Sequence, residues 1–359
     1  MSHEQAKTKY AVKQIYIDMM GWMMIEPKDN HHSPLQWATH IDKCKIDPLL
    51  KRYPDAYIYL FCDNPNFAPA PKKSVQADRN LARGMSSTVN SASNLNGMYS
   101  PETKVMLNKS QWKKVTESRL LKYEWAKYLM KTIVKLNRNS KVKLGGDDFE
   151  HGEADTVCWC AAYSNIPAPI PTNGASGTRG KQTAVVLIGG GGDTDNIPIG
   201  LLGFCHHELE VKGVQFLCDL SRKKDDEEVY NINNLIVNIT NHRDLAKLDE
   251  KNRVPSIVAI VVMAGYSDFT NATVFITLPK WLLLYSSLVA ADSHNYWNLT
   301  GSDRKVKLMS FFKAGFMKFN GSALFRELGD NFTVSGGKAP FNQKEEQRRS
   351  EKSYVSTTF

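Results

Sequence analysis

Ala184-Val-Val-Leu-Ile-Gly-Gly-Gly-Gly-Asp-Thr-Asp195 joins an apolar run to four glycines and two carboxylates, Asp193 and Asp195. Alternate residues of extended chain share a face, so two acids spaced this way can aim at one point. The glycines let the backbone crowd that point, because they carry no side chain and accept unusual dihedrals. Carboxylates that converge repel each other unless a cation lies between them. The plain alternative is a glycine-rich turn bearing two solvated acids.

The same pattern recurs along the chain. Gln14-Ile-Tyr-Ile-Asp18 and Ala56-Tyr-Ile-Tyr-Leu-Phe-Cys-Asp63 are short β-rich runs that end in acids. Gly152-Glu-Ala-Asp155 stands at the mouth of an apolar helix, and Asp268 closes the apolar segment that starts at Val254. Asp18, Asp63, Glu153, Asp155, Asp193, Asp195 and Asp268 cannot share a pocket as bare anions, since each costs several kcal/mol to desolvate unpaired. Such a set calls for hard divalent cations, and carboxylates with water suit Mg²⁺, with Mn²⁺ as a substitute. Two ions about 4 Å apart activate a water and stabilise the leaving oxygen of a phosphodiester, which is hydrolysis without a nucleophilic side chain. Taken singly, each acid reads more readily as a turn residue or a helix N-cap.

The acids need elements to position them. Strand runs at 14–18, 56–63, 184–188 and 213–219 alternate with helical patterns over Leu35–Leu50, Gln111–Leu136 and 152–162. That alternation predicts an α/β fold with a mostly parallel sheet flanked by helices. In such a sheet ligands bind in the crevice outside the carboxyl ends of the strands, where these acids would gather. Residues 1–12 read as a loose leader, Lys72–Arg83 as a basic helix, and 343–359 as a polar, disordered tail.

At 359 residues the chain can bury a large core, and 42% hydrophobic with 23% charged residues is ordinary globular composition. No apolar run is long enough to span a bilayer, and the start Met-Ser-His-Glu-Gln is unlike a secretory signal. Six cysteines in so long a chain make no disulfide framework, which points to a reducing compartment. The net charge of +9 favours a polyanionic partner. Lysine and arginine gather at 72–83, 104–143 and the C-terminal tail, whereas the acids follow apolar runs. Phosphate held outside and metal held inside would divide the charge in this way.

The order of these motifs resembles the flap endonuclease/XPG family of 5′-nucleases, within the PIN-like superfamily. Ile17-Asp18-Met-Met-Gly-Trp22 is similar to the family's D-x-x-x-W/L motif. Phe61-Cys-Asp63-Asn-Pro resembles its F-D-G-x-P, with Cys62 and Asn64 as departures. The basic residues from Pro69-Ala-Pro-Lys-Lys73 to Arg79 and Arg83 resemble its P-x-x-K…R-x-x-x-R helix. Gly152-Glu-Ala-Asp155 is similar to E-A-E/D, Gly192-Asp-Thr-Asp195 to D-x-D, and Ala264-Gly-Tyr-Ser-Asp268-Phe to G-x-D-Y/F. Each motif is weak alone; the ordered set carries the resemblance.

The resemblance implies a PIN-like domain over 1–300, with 84–145 as a mobile loop and helical cap, and a helical extension at 301–342. It implies that the seven acids ligate two metal ions and act in catalysis. Lys72, Lys73, Arg79 and Arg83, with Lys113, Lys114, Arg119 and Lys122 in the cap, would lie near substrate phosphates. The implied activity is metal-dependent cleavage of branched or single-stranded DNA, in replication or repair, inside the nucleus or cytoplasm, including that of a virus-infected cell. One departure bears on substrate. Asp268-Phe-Thr-Asn-Ala-Thr-Val-Phe-Ile-Thr-Leu-Pro-Lys280 lacks the glycine of the family's DNA-gripping hairpin. That moves the chain toward RNA-cutting relatives of the viral host-shutoff type. A nucleic-acid-binding module without turnover is the third reading, disfavoured by the full set of acids.

Other signals fall away. Cys205-His206-His207 and Cys158-x-Cys160 fit no closed zinc spacing. No Lys-Ser/Thr follows the glycine run, so it is no P-loop. Trp22, Trp112, Trp125 and Trp281 read as core.

Overall fold

A computed structural model of the chain describes residues 1–64, 99–138, 140–145, 152–169, 181–189, 195–207, 213–221, 228–242, 245–246, 250, 253–255 and 257–258. The expected basic helix with Lys72, Lys73, Arg79 and Arg83, the acids Asp193 and Asp268, Trp281, the hairpin after Asp268, and residues 301–359 lie outside the described residues. The chain divides into two compact units, residues 1–68 with 76–233 and residues 69–75 with 234–359. The first unit carries the elements that position the remaining acids.

Four of its strands are the expected apolar runs. β1 (Tyr10–Asp18), β2 (Tyr57–Phe61), β4 (Gln182–Ile188) and β5 (Val214–Asp219) are joined by two short strands, β3 (Val142–Leu144) and β6 (Val229–Asn231). The sheet order is β3-β2-β1-β4-β5-β6, parallel throughout except for the β5–β6 pair. β4 is buried along Thr183–Leu187, as a strand covered on both faces must be. The chain leaves β1 for β2 on one side and returns to β4 on the other, so the order reverses beside β1. Such a reversal opens a crevice at the carboxyl edge.

Helices cover both faces. On one face α2 (Pro34–Ile41), α4 (Lys109–Glu117) and α5 (Arg119–Leu136) pack with Ile15, Ile17, Ile58 and Leu60. On the other, α6 (Ala154–Ser164) places Trp159 and Tyr163 against Phe216 of β5, and the Ala161 carbonyl receives the Tyr16 hydroxyl. α7 (Asn196–His206) lies along α6. Gly200 meets the Trp159 ring and Gly203 meets the Tyr163 ring, so the two helices run side by side in the same direction.

Three local readings change. Residues 1–12 are no loose leader: α1 (His3–Lys9) is started by a Ser2–Gln5 capping box, and β1 begins at buried Tyr10. The stretch 35–50 is two α-helices, α2 and α3 (Asp47–Arg52), joined by a π-helical turn over Asp42–Ile46. Buried Asp42 is held there by the Asn137 amide, which donates to Oδ1 at 2.7 Å. The stretch 111–136 is broken at Ser118, whose extended backbone ends α4 and whose hydroxyl accepts from Leu121 N–H to start α5.

The described part of the stretch expected to cap the crevice is built into the core. Trp112 of α4 and Trp125 of α5 meet Trp37 of α2 edge to face, with ring centroids 4.9–5.5 Å apart. Trp22, Trp112 and Trp125 are buried, in accord with their reading as core. No helix among the described residues is long and apolar enough to cross a membrane.

Candidate functional site

Parallel strands point their carboxyl ends one way, and the helices that return from them start at that same edge. Asp18 is the last residue of β1, in register with Phe61, and Asp63 stands two residues beyond β2. Glu153 is the N-cap of α6, Asp155 lies in its first turn, and Asp195 is the N-cap of α7. One turn back from Trp159 and Gly200 stand Asp155 and Asn196, so the parallel packing of α6 and α7 sets these two starts beside each other. Five acids singled out in the sequence thus share one edge of the sheet.

Several are tied together directly. The Ala154 N–H donates to Asp63 Oδ1 at 2.9 Å, and the Asn64 N–H donates to the Gly152 carbonyl at 3.1 Å, so the end of β2 is stitched to the start of α6. Asp18 Oδ1 accepts from Met20 N–H at 2.8 Å, and Asp155 Oδ1 accepts from Thr156 N–H at 2.6 Å. Asp18, Glu153, Asp155 and Asp195 are all at most 8% exposed, which is unusual for carboxylates. Helix N-termini offset part of that cost, since their N–H groups favour negative charge.

Two thiols report on the field of these acids. Cys158 of α6 is held well above its ordinary value, by burial first and then by the charges of Asp18, Asp155 and Asp63. Burial pushes the Cys62 thiol up to about 12, with Asp63 and Asp18 acting in the same direction and Lys127 opposing. Both thiols are therefore neutral near pH 7, and the chemistry at this edge belongs to carboxylates. The charges of Asp18, Asp63 and Asp155 thus all reach Cys158. Among the described residues, however, no three His, Cys, Asp or Glu side chains are grouped so as to hold a metal ion.

The basic candidates are more scattered. Lys113 and Lys114 are exposed on α4, and Lys114 Nζ donates to the Tyr99 hydroxyl at 3.3 Å. Arg119 is the first residue of α5 and Lys122 is half-buried in its first turn. Lys127, half-buried further along α5, is the cation whose charge reaches Cys62 and opposes those of Asp63 and Asp18. Nothing in the sequence separates it from the other lysines of that helix.

Asp219, at the end of β5, is a further strand-end acid that the sequence reading left out of the set. Ile17 and Asp219 both pair with Ile188, so Asp219 stands one row and one face away from Asp18. Its Oδ1 accepts from Ser221 N–H at 2.9 Å, a turn-forming role. Of the Cys/His pairs set aside in the sequence, Cys158 is buried while Cys160 is exposed, and the His207 ring stacks on Tyr163 at 5.5 Å. No protein-family model and no curated protein matches the chain.

Proposed function

We propose that the chain is a divalent-metal-dependent nuclease of the flap endonuclease-like, PIN-like kind, acting on branched or single-stranded DNA. The observation that carries this reading is the gathering of Asp18, Asp63, Glu153, Asp155 and Asp195 at the carboxyl edge, beside the strand-order reversal. An all-carboxylate donor set suits Mg²⁺ or Mn²⁺ and does not suit softer ions. Those five residues would hold the ions.

Divalent cations at such a site supply Lewis-acid polarisation of a phosphodiester and lower the pKa of water. The protein's own part is positional. Asp63 fixes the first turn of α6 against β2, the starts of α6 and α7 present N–H groups to anions, and Lys127 brings a positive charge to the rim. Lys113, Lys114, Arg119 and Lys122 would attract phosphates of the incoming strand.

A non-catalytic nucleic-acid-binding module, the third reading of the sequence, is the alternative to catalysis. One assay separates the two. End-labelled 5′-flap DNA, single-stranded DNA, blunt duplex and single-stranded RNA are incubated with Mg²⁺ or Mn²⁺ and either the native or the Asp195→Asn protein. Metal-dependent cutting that Asp195→Asn abolishes supports the nuclease. Preferential cutting of RNA moves the substrate to the host-shutoff class. Tight binding without cutting leaves the binding module, and full activity of Asp195→Asn removes this edge from the mechanism.

A further inference from the structure

Away from the acids, at the amino end of β2, an aromatic side chain stands in solvent among cations. Tyr57 is 41% exposed, and it begins the row Tyr57, Tyr59, Phe61 on the face of the sheet that also carries Tyr16. That row passes from solvent into the core: Tyr59 stacks on buried Tyr16 with centroids 5.1 Å apart, and Phe61 follows at 6.1 Å. Lys143 of β3 is in register with Tyr59, and its Nζ lies 4.7 Å from the Tyr57 ring centroid. Lys141 Nζ lies 5.5 Å from the same ring and is steadied by the Pro54 and Asp55 carbonyls at 3.4 and 3.2 Å. Neither ammonium is in an ion pair among the described residues.

Lysines alone on an edge strand such as β3 would be accounted for by their ability to discourage strand pairing. They do not account for an exposed tyrosine beside them. An exposed ring with two ammoniums over it, neither in an ion pair among the described residues, matches one ligand chemistry well: a base that takes the ring face as the ammoniums turn to the phosphates on either side of it. Aromatic platforms with lysine beside them hold single-stranded nucleic acid through stacking and charge together. The net charge of +9 agrees in sign.

We infer that Tyr57, Lys141 and Lys143 form a binding subsite for single-stranded nucleic acid, with a base stacked on Tyr57 and neighbouring phosphates on the two lysines. The subsite rests on the nucleic-acid reading of the chain but not on cleavage. Tyr57 and Asp63 are six positions apart, about 20 Å at the rise of extended chain. It therefore grips strand outside the acid edge and sets how much strand the protein engages.

The test is fluorescence anisotropy of the full chain with labelled oligothymidylate and oligouridylate, in EDTA so that no strand is cut. Tyr57→Ala weakens binding about 5- to 100-fold, the range for losing one stacked base, while Tyr57→Phe binds as the native protein does. Lys141→Gln with Lys143→Gln lowers the slope of log K against log salt by about 1.4, the value for two phosphates on a single strand. A structural role for these side chains would leave that slope unchanged, and melting temperatures of the variants identify any that fail to fold. Tyr57→Ala binding within about twofold of native, with the salt slope of the lysine variant intact, overturns the subsite. So does a native protein that binds neither oligonucleotide, or one whose lysine variant loses affinity only for anionic vesicles. A native protein that binds but never cuts overturns the nuclease alone, and one that cuts while the Tyr57 and lysine variants bind normally overturns the subsite alone.

Discussion

Asp63 Oδ1 accepts the backbone N–H of Ala154 at 2.9 Å across ninety-one positions of sequence, fastening the end of β2 to the first turn of α6. The contact has the geometry of a helix N-cap supplied from another element. Losing such an acceptor costs about 0.5–2 kcal/mol. Asp63→Ala should therefore lower stability by about that amount in urea denaturation. Asp63→Asn keeps the acceptor and should stay within a few tenths of a kcal/mol, on the order of a capping Asp/Asn difference. Under the nuclease reading both variants lose metal-dependent cleavage. An Asp63→Asn protein that cuts as well as the native one would show that Asp63 is a structural cap only.

Gly200 and Gly203 make the close approach of α7 to α6. A Cβ at Gly200 would lie 2.5 Å from the Trp159 ring, and one at Gly203 would lie 2.4 Å from the Tyr163 ring. In an open helix, Gly→Ala gains about 1 kcal/mol from propensity. Here the clash wins, because Trp159 is 1% exposed and has no room to move, and overpacking costs about 1–3 kcal/mol. Gly200→Ala should be net destabilising in chemical denaturation. A stabilised Gly200→Ala protein would mean that the two helices are not packed this closely.

The strands that end in acids were legible because burial on both faces leaves long apolar runs that need no partner to be seen. β4 and β5 fell where Ala184–Ile188 and Gly213–Asp219 predicted, and Glu153 caps α6. What escaped notice depends on partners distant in sequence. β3 is only Val-Lys-Leu and becomes a strand by pairing with β2. Ser118 breaks a helical pattern whose apolar spacing continues through it, and only its cap geometry shows the break. That Trp37, Trp112 and Trp125 meet in one cluster is likewise a contact between three helices that no one of them shows. The acid edge was legible as a list of strand-end residues. That Asp219 lies on the opposite face from Asp18 is a matter of register, which no single strand contains.

Cys62 gives the fold an alkaline liability. Its thiol ionises ordinarily at 9.0 but is pushed up to about 12 in the folded chain, chiefly by burial. Between those values the unfolded chain has released a proton that the folded chain retains, so stability falls as pH rises through that window. Cys158, raised for the same first cause, adds to the fall. Cys62→Ala should lose stability near neutrality through its lost packing, yet fall less steeply above pH 9 than the native protein. Urea midpoints on either side of that pH measure both effects, and an unchanged alkaline slope would mean that Cys62 is not buried beside Asp18 and Asp63.

The three central indoles are packed alike but not bonded alike. Trp125 Nε1 donates to the Tyr99 carbonyl at 2.7 Å and Trp37 Nε1 to the Ile25 carbonyl at 3.1 Å, whereas Trp112 Nε1 is buried with no hydrogen-bond partner among the described residues. Each ring removed to alanine should cost about 3–5 kcal/mol, since all three are within 1% of complete burial. Replacement by phenylalanine separates them. Trp112→Phe gives up ring area but also deletes a buried N–H whose desolvation is uncompensated, which offsets part of that loss. Trp125→Phe gives up similar area and strands the Tyr99 carbonyl, a penalty of about 1–3 kcal/mol. The Trp125 variant should therefore be the less stable by roughly that difference in urea denaturation. The two rings lie 5.0 Å apart, so the double variant should deviate from additivity. Equal losses in the two single variants would mean that the Trp125–Tyr99 bond adds nothing to stability, leaving ring area as the whole contribution of the cluster.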